Sequence, residues 1–380
     1  MSAPANRRLV FLINVDWYFL LHWCDRALAA RDSGFEVWVL TKITKAEHKS
    51  KIESFGFSVV DLPISRHSVN PFREVFALYC ALKAVIKIDP LILHAVTIKP
   101  IFYSSFICRQ KKLRLICSFP GLGSLPKYDS ILGRTFWFAV RAICARGLSS
   151  NNVKVIFENE RDLELLCSAG FKFFSVDVVK GAGVDTSLFR PVGLPELKTI
   201  KVLFAARLLR NKGLSELVTA VKALNERKQC FELHVAGILD EVHPEGLTES
   251  EVESLCDKPF VVWHGHISDM SSIIGRCHIV CLPTTYGEGI PRILIEGAAC
   301  GRALVATDIP GCRDVVFDDF NGVLIQPNCA LELERALLLF AEQPHLFESY
   351  GANGRSLVEA EMSNSIIIKK TLEIYNASLI

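Results

Sequence analysis

Short apolar runs rich in β-branched residues alternate along this chain with longer amphipathic stretches. Apolar runs of four to eight residues bounded by turn signals read as buried strands, and the stretches with apolar positions at three- and four-residue spacing read as helices. In the first half, strands are predicted over 9–15, 36–41, 57–62, 91–95, 114–119, 154–158 and 176–179. Helices are predicted over 19–33, 45–55, 71–88, 99–109, 130–148 and 163–169, with Gly34 and Asp89-Pro90 as punctuation. Residues 190–199, rich in Pro, Gly and charge, read as a linker. A second series follows. Its strands are expected over 201–205, 232–236, 261–264, 278–282, 303–307 and 322–325, and its helices over 213–228, 268–276, 291–300 and 311–317. The remainder is helical by period over 331–343 and 348–379.

Strands alternating with helices of this length indicate βαβ units and a parallel sheet. The expected fold is therefore α/β, with two Rossmann-like doubly wound domains: 1–190, then 200–360, with a last helix in 361–380 that crosses back to the first domain. Such sheets bind ligands beyond the carboxyl ends of their strands, where the strand order reverses. Two halves facing each other would put both crevices on one central cleft.

The length of 380 residues agrees with two domains at roughly 100–200 residues each. Half the residues are hydrophobic, enough for a core in each. A formal charge of +2 gives no support to a partner bound through phosphate neutralisation, so no nucleic-acid partner is expected. The thirteen cysteines show no C-x-x-C pair and no zinc spacing, which argues for reduced thiols and a cytoplasmic setting. No apolar run reaches about 18 residues without a charge, so no membrane span is expected. The mixed basic and apolar segment 127–146 is of the type that lies in a membrane interface, and gives the expectation of a weak contact at the inner face of the cell membrane.

Candidate chemistry concentrates in Leu282-Pro-Thr-Thr-Tyr-Gly-Glu-Gly-Ile-Pro-Arg-Ile-Leu-Ile-Glu-Gly297. A predicted strand ends there, a Gly-rich turn carries Glu288, and Pro291 suits the first position of a helix that carries Glu296. Amides around Gly289, Ile290 and Pro291 would form an anion site at the helix N-terminus. A loop carboxylate eight positions before a helical one suggests a ligand with a phosphate end and a polyol end. Straight after the first strand of the second half comes Ala205-Ala-Arg-Leu-Leu-Arg-Asn-Lys-Gly213, where Arg207 and Lys212 offer a planar fork and a point charge to a diphosphate. No P-loop is present, and Gly121-Leu-Gly-Ser-Leu-Pro126 fails the dinucleotide fingerprint at its third glycine.

The Gly-Glu-Gly-Ile-Pro frame with Glu288 and Glu296, together with Arg207 and Lys212-Gly213, resembles retaining glycosyltransferase family 4, of GT-B fold. Leu233-His-Val-Ala-Gly237 and Val262-Trp-His-Gly-His-Ile267 resemble the family's two turns flanking the nucleoside, which places Gly237 and Ile267 beside it. Asn14-Val-Asp-Trp-Tyr-Phe-Leu-Leu-His22, His94-Ala-Val-Thr-Ile-Lys-Pro100 and Phe119-Pro-Gly-Leu-Gly123 look like a subgroup associated with bacterial surface polysaccharides such as lipopolysaccharide and capsule. A donor-sugar His found elsewhere in the family near the last of these is absent here.

The resemblance implies transfer of a hexosyl unit from a nucleotide sugar, UDP-linked, to a glycan acceptor carried on polyprenyl diphosphate, with retention of configuration. It assigns Arg207, Lys212, Gly289, Ile290 and Pro291 to the diphosphate, Glu296 to the ribose and Glu288 to catalysis. Asp16, His94 and Lys99 are candidates for the acceptor side, although a strand-end His satisfying its neighbours is an equal reading. No cofactor and no metal are implied. The alternatives are a sugar-nucleotide epimerase and a non-catalytic nucleotide-sugar-binding scaffold.

Overall fold

The computed structural model describes residues 7–65, 70–107, 113–122, 145–240, 243–285, 287 and 289–378. The chain divides into two compact units, one running to Ala182 and resuming at Ile367, the other Gly183–Ile366.

The first unit is built on strands β1 (Arg8–Val15), β2 (Glu36–Lys42), β3 (Ser58–Asp61), β4 (Ile92–Val96), β5 (Arg114–Phe119), β6 (Val153–Phe157) and β7 (Ser175–Val178). All pair in parallel in the order β3-β2-β1-β4-β5-β6-β7. Side chains alternate across a strand, and β1 divides accordingly. Leu9, Phe11 and Ile13 enter one core layer, while Val10 and Leu12 enter the other. Around the sheet lie α1 (Asp16–His22), α2 (Cys24–Asp32), α3 (Ala46–Ser54), α4 (Pro71–Ile88), α5 (Ile98–Ile107) and α6 (Glu160–Ser168).

In the second unit β8 (Ile200–Ala205), β9 (Phe231–Ala236), β10 (Val261–Trp263), β11 (Ile279–Leu282), β12 (Ala303–Thr307) and β13 (Gly322–Ile325) form a parallel sheet ordered β10-β9-β8-β11-β12-β13. Its helices are α7 (Leu214–Glu226), α8 (Glu249–Cys256), α9 (Met270–Gly275), α10 (Arg292–Ala299), α11 (Ala330–Glu342) and α12 (His345–Glu361). A final helix, α13 (Asn364–Ala377), puts Ile367, Ile374 and Tyr375 into the first unit's core against Phe11 and Phe35.

Several expected elements differ. The helix expected over 19–33 is two, α1 and α2, parted at Trp23, whose buried ring packs on Phe11 and His94 and carries the Arg26 guanidinium. The helix expected over 311–317 is a run of turns, with Gly311 at φ 74° and its amide donating to the Asp314 carboxylate. The long period over 348–379 breaks at Met362-Ser363, where the chain pairs with Val184. Helix α8 was unexpected, though its capping box, Thr248 with Glu251, is legible in sequence. The 190–199 stretch is no loose tether: buried Arg302 donates to the Val192 carbonyl and His278 to that of Pro195. The helix expected over 130–148 and the segment 127–146 fall mostly outside the described residues.

Candidate functional site

In the second sheet the strand order reverses between β8 and β11. The loops leaving their carboxyl ends, 206–213 and 283–291, are therefore the ones that a doubly wound sheet opens to a ligand. These two loops are joined directly. The Thr285 amide donates to the Asn211 carbonyl at 2.8 Å, and the Thr284 hydroxyl reaches the same oxygen at 3.2 Å. Gly213, at φ 79°, lies so close that a Cβ there would stand 2.3 Å from the Pro283 carbonyl oxygen. Only glycine fits both that backbone and that gap.

The 3₁₀ turn Arg210–Lys212 delivers the lysine inward. Lys212 is only 3% exposed, and burial, reinforced by the neighbouring Arg207 charge, pulls its pKa down to about 7. Arg207 itself pairs with Asp240 at 2.9 Å. The same corner is closed from the β9 side. A Cβ on Gly237 would stand 2.0 Å from the Ala206 carbonyl oxygen, and the Gly237 amide donates to the Gly265 carbonyl at 2.8 Å. Ile267 follows two residues later, half-buried against the core.

Helix α10 begins at Arg292 with Pro291 as its N-cap, one residue later than expected, because Pro291 keeps extended ψ (117°). Among the described residues no side chain caps this end, and the preceding Gly289 and Ile290 are both buried. One turn on, Glu296 is 7% exposed and takes the Arg292 Nε at 2.6 Å. Burial raises its pKa, and Arg292 opposes that shift. Two cations, a helix N-terminus and a buried carboxylate thus come from loops of neighbouring strands.

In the first unit the order reverses between β1 and β4. Asp16 starts α1 right at the end of β1, but its carboxylate is fully buried and fully used. It accepts from the Trp17 amide, the Thr44 amide and the Thr44 hydroxyl, each at 2.7 Å, with His48 Nδ1 at 3.2 Å. Burial alone would raise its pKa; the Thr44 hydrogen bonds win and lower it. His94 has no exposed surface. Its two ring nitrogens sit 2.7 Å from Tyr375 Oη and Ser118 Oγ, its ring stacks on Phe11, and burial lowers its pKa to about 3. Lys99 donates to Glu74 at 2.8 Å and to the Ser65 carbonyl at 2.7 Å. Near these strand ends, among the described residues, are buried oxygens without a hydrogen-bond partner: Asn14 Oδ1 at the bulged end of β1, Thr41 Oγ1 on β2 and Thr97 Oγ1 after β4, the last on a residue at φ 73°.

The two halves match two glycosyltransferase family models. "Glycosyl transferases group 1" covers residues 185–357, and "Glycosyl transferase 4-like" covers 8–159. Solved structures agree in fold over nearly the full length. A glycosyltransferase from Rickettsia africae ESF-5 superposes with a TM-score of 0.80 at 18% identity, over 99% of each chain. Anabaena Alr3699/HepE, in complex with UDP-glucose, gives 0.77 at 17% identity, over 97% of this chain and 99% of that one. The chain is a glycosyltransferase of the GT-B type. Among curated relatives, an N,N'-diacetylbacillosaminyl-diphospho-undecaprenol α-1,3-N-acetylgalactosaminyltransferase of Campylobacter jejuni is 23% identical over 361 residues, 92% of this chain and 93% of that one. The capsular polysaccharide biosynthesis glycosyltransferase CapM of Staphylococcus aureus is 26% identical over 176 residues, 46% of each chain.

Within this glycosyltransferase, Arg207, Lys212, Gly237, Gly289, Ile290, Pro291 and Glu296 gather around the second sheet's reversal point, with Ile267 at its β10 edge. Glu288 lies outside the described residues. The three acceptor-side candidates already have partners within the first unit. Asp16 tethers α1 to the β2–α3 loop, and His94 is a satisfied core histidine. Lys99, about a quarter exposed, is held by Glu74. Sequence reading missed Asp240, Arg292, Thr284 and the Asn14–Thr97 crevice. Arg292 was legible as a partner four residues before Glu296 on one helix face; Asp240 stands in a loop with no pattern to mark it.

Proposed function

We propose that this glycosyltransferase moves a hexosyl unit from a UDP-linked sugar to a glycan carried on polyprenyl diphosphate, with retention of configuration. The observation that carries the donor half is Lys212. It is a buried cation next to Arg207, on a loop bonded to the strand end that leads into α10. An amine and a guanidinium set together at one strand end are the groups that hold a diphosphate. Arg207 and Lys212 stabilise the charge that develops as the sugar–phosphate bond breaks. Amides at Gly289 and Ile290 add the helix N-terminus to the same phosphate. Glu296 bonds the ribose hydroxyls, with Gly237 and Ile267 beside the base. Glu288 bonds the sugar hydroxyls and stabilises the oxocarbenium-like transition state without acting as a covalent nucleophile; attack comes from the face the phosphate leaves. The cations take the place of a metal.

The acceptor half is supported by the Campylobacter jejuni relative, whose name specifies a diphospho-undecaprenol acceptor. A melting screen with UDP, GDP, NAD and UDP-sugars, in chelator, tests the reading. UDP at about 100 times its dissociation constant should add about 2.7 kcal/mol of stability. NMR of the product's anomeric proton then tests retention. A shift with NAD alone, or none with any nucleotide, would remove the proposal and bring the scaffold reading forward. Conversion of a UDP-sugar without acceptor would favour the epimerase.

A further inference from the structure

We propose that α4 docks this protein onto an anionic membrane surface, lying in the plane of the headgroups. The helix is 18 residues long, about 27 Å at the usual rise. One face, Ala77, Ala81, Val85 and Ile88, is buried in the first unit's core. Opposite it stand Phe72 (84% exposed), Val75 (66%), Phe76 (58%), Tyr79 (59%) and Ile86 (53%). At about 100° per residue these five form one continuous band about 100° wide along most of the helix. A soluble helix ordinarily turns polar groups to that side, and exposed apolar stripes of this extent mark interaction surfaces.

Charge selects the partner. The exposed ionic side chains of α4 are Arg73, Lys83 and Lys87, all cationic; Lys83 falls in the middle of the band and Lys87 on its flank. The helix's one acid, Glu74, is turned inward to Lys99 and Tyr103. Asp89 lies just past the C-terminal end. Aromatic and aliphatic side chains on one face, interleaved with Lys and Arg and with no exposed acid, are what sinks a helix into an anionic headgroup layer. A second protein surface would need a matching apolar groove of the same length and acids against Lys83 and Lys87. A lipid surface supplies both at once. Among the described residues no helix is long and apolar enough to cross a membrane, so the contact is peripheral. The docking rests on α4 alone. Its use in catalysis, bringing the first unit to the leaflet that holds a lipid-linked acceptor, rests on the function proposed above.

The test is flotation of the full chain with phosphatidylglycerol/phosphatidylethanolamine vesicles and with phosphatidylcholine vesicles, without donor. The protein should float with the anionic vesicles and be released at about 1 M salt, where the screening length is about 3 Å. The variant Phe72→Ser/Phe76→Ser/Tyr79→Ser should bind at least about tenfold more weakly, since it removes three aromatic side chains from the band that enters the headgroup layer. Lys83→Glu/Lys87→Glu should lose the preference for anionic lipid. All five side chains are exposed, so melting temperature with and without UDP should match the parent. Failure of the parent to float, or equal flotation of both variants, overturns the proposal. A parent dimer that the serine variant converts to monomer, with no flotation by either, would show that a second copy covers the band. Flotation without any UDP shift would keep the docking and remove the donor reading instead.

Discussion

Lys212 makes the nucleotide reading measurable through a proton. Its ordinary pKa of 10.5 falls to about 7 in the fold, chiefly through burial and then through Arg207. A difference of that size corresponds to about 5 kcal/mol against the charged form. A diphosphate set beside the amine adds negative charge there and returns the pKa toward its ordinary range. At pH 8 the unliganded amine is about nine-tenths neutral, so binding should take up about 0.9 proton. The terminal phosphate of UDP, with a pKa near about 6, is already ionised there and takes up none. Titration calorimetry at pH 8 in two buffers of different ionisation enthalpy reads this uptake directly. The dissociation constant should rise about tenfold per pH unit above 7, and Lys212→Met should bind weakly with no buffer dependence. Heats that do not depend on buffer, with affinity flat from about pH 7.5 to 9, would show that no proton is taken up on binding. Either the amine stays charged without ligand, or the diphosphate does not meet it. Without ligand the sign reverses: the unfolded chain holds the extra proton between pH 7 and 10.5, so this lysine makes stability rise with pH across that window.

Four further outcomes are expected. Glu288→Ala should abolish transfer while leaving UDP affinity within about threefold of the parent, a difference under about 1 kcal/mol; loss of UDP binding instead would reassign it. Gly213→Ala must relieve both φ 79° and the 2.3 Å approach to Pro283, costing about 2–5 kcal/mol and a melting drop of several degrees, with loss of the UDP shift. Gly170→Ala, at φ 90° but with open space around it, should cost only the backbone strain, about 1–2 kcal/mol. His94 is held neutral by burial, its pKa lowered to about 3 from 6.5. Stability should therefore fall as pH drops from about 6.5 toward 3, because the unfolded chain gains the proton first. His94→Gln should flatten that acid limb in urea titrations while lowering stability at neutral pH; an unchanged limb would mean the ring is charged in the fold.

Much of the second unit was legible because its candidate residues sit at strand ends with local punctuation. Lys212-Gly213 and Gly289-Ile290-Pro291 each follow an apolar run, and the strand order then brings the two stretches together without any signal in either of them. In the first unit the sequence singled out strand-end positions without showing what their side chains meet. Asp16 and Lys99 do flank the reversal point, yet Thr44 and Glu74, 28 and 25 residues away, satisfy them. Pairings at that separation depend on which loops the sheet juxtaposes. The exposed face of α4 escaped for a different reason. Its apolar positions repeat at helical spacing on both sides, so the pattern announces a helix and does not say which side meets the core.

Helix α13 follows the whole second unit in the chain, yet its Tyr375 closes the core of the first, covering Phe11 and supplying a partner to His94. During synthesis the first sheet must wait, with that aromatic face open, until 183–366 have left the ribosome. Chaperone dependence should therefore centre on the amino-terminal half. A nonsense codon near 364 would spare the loops after β8 and β11 and still leave the first sheet a sticky, half-dressed intermediate.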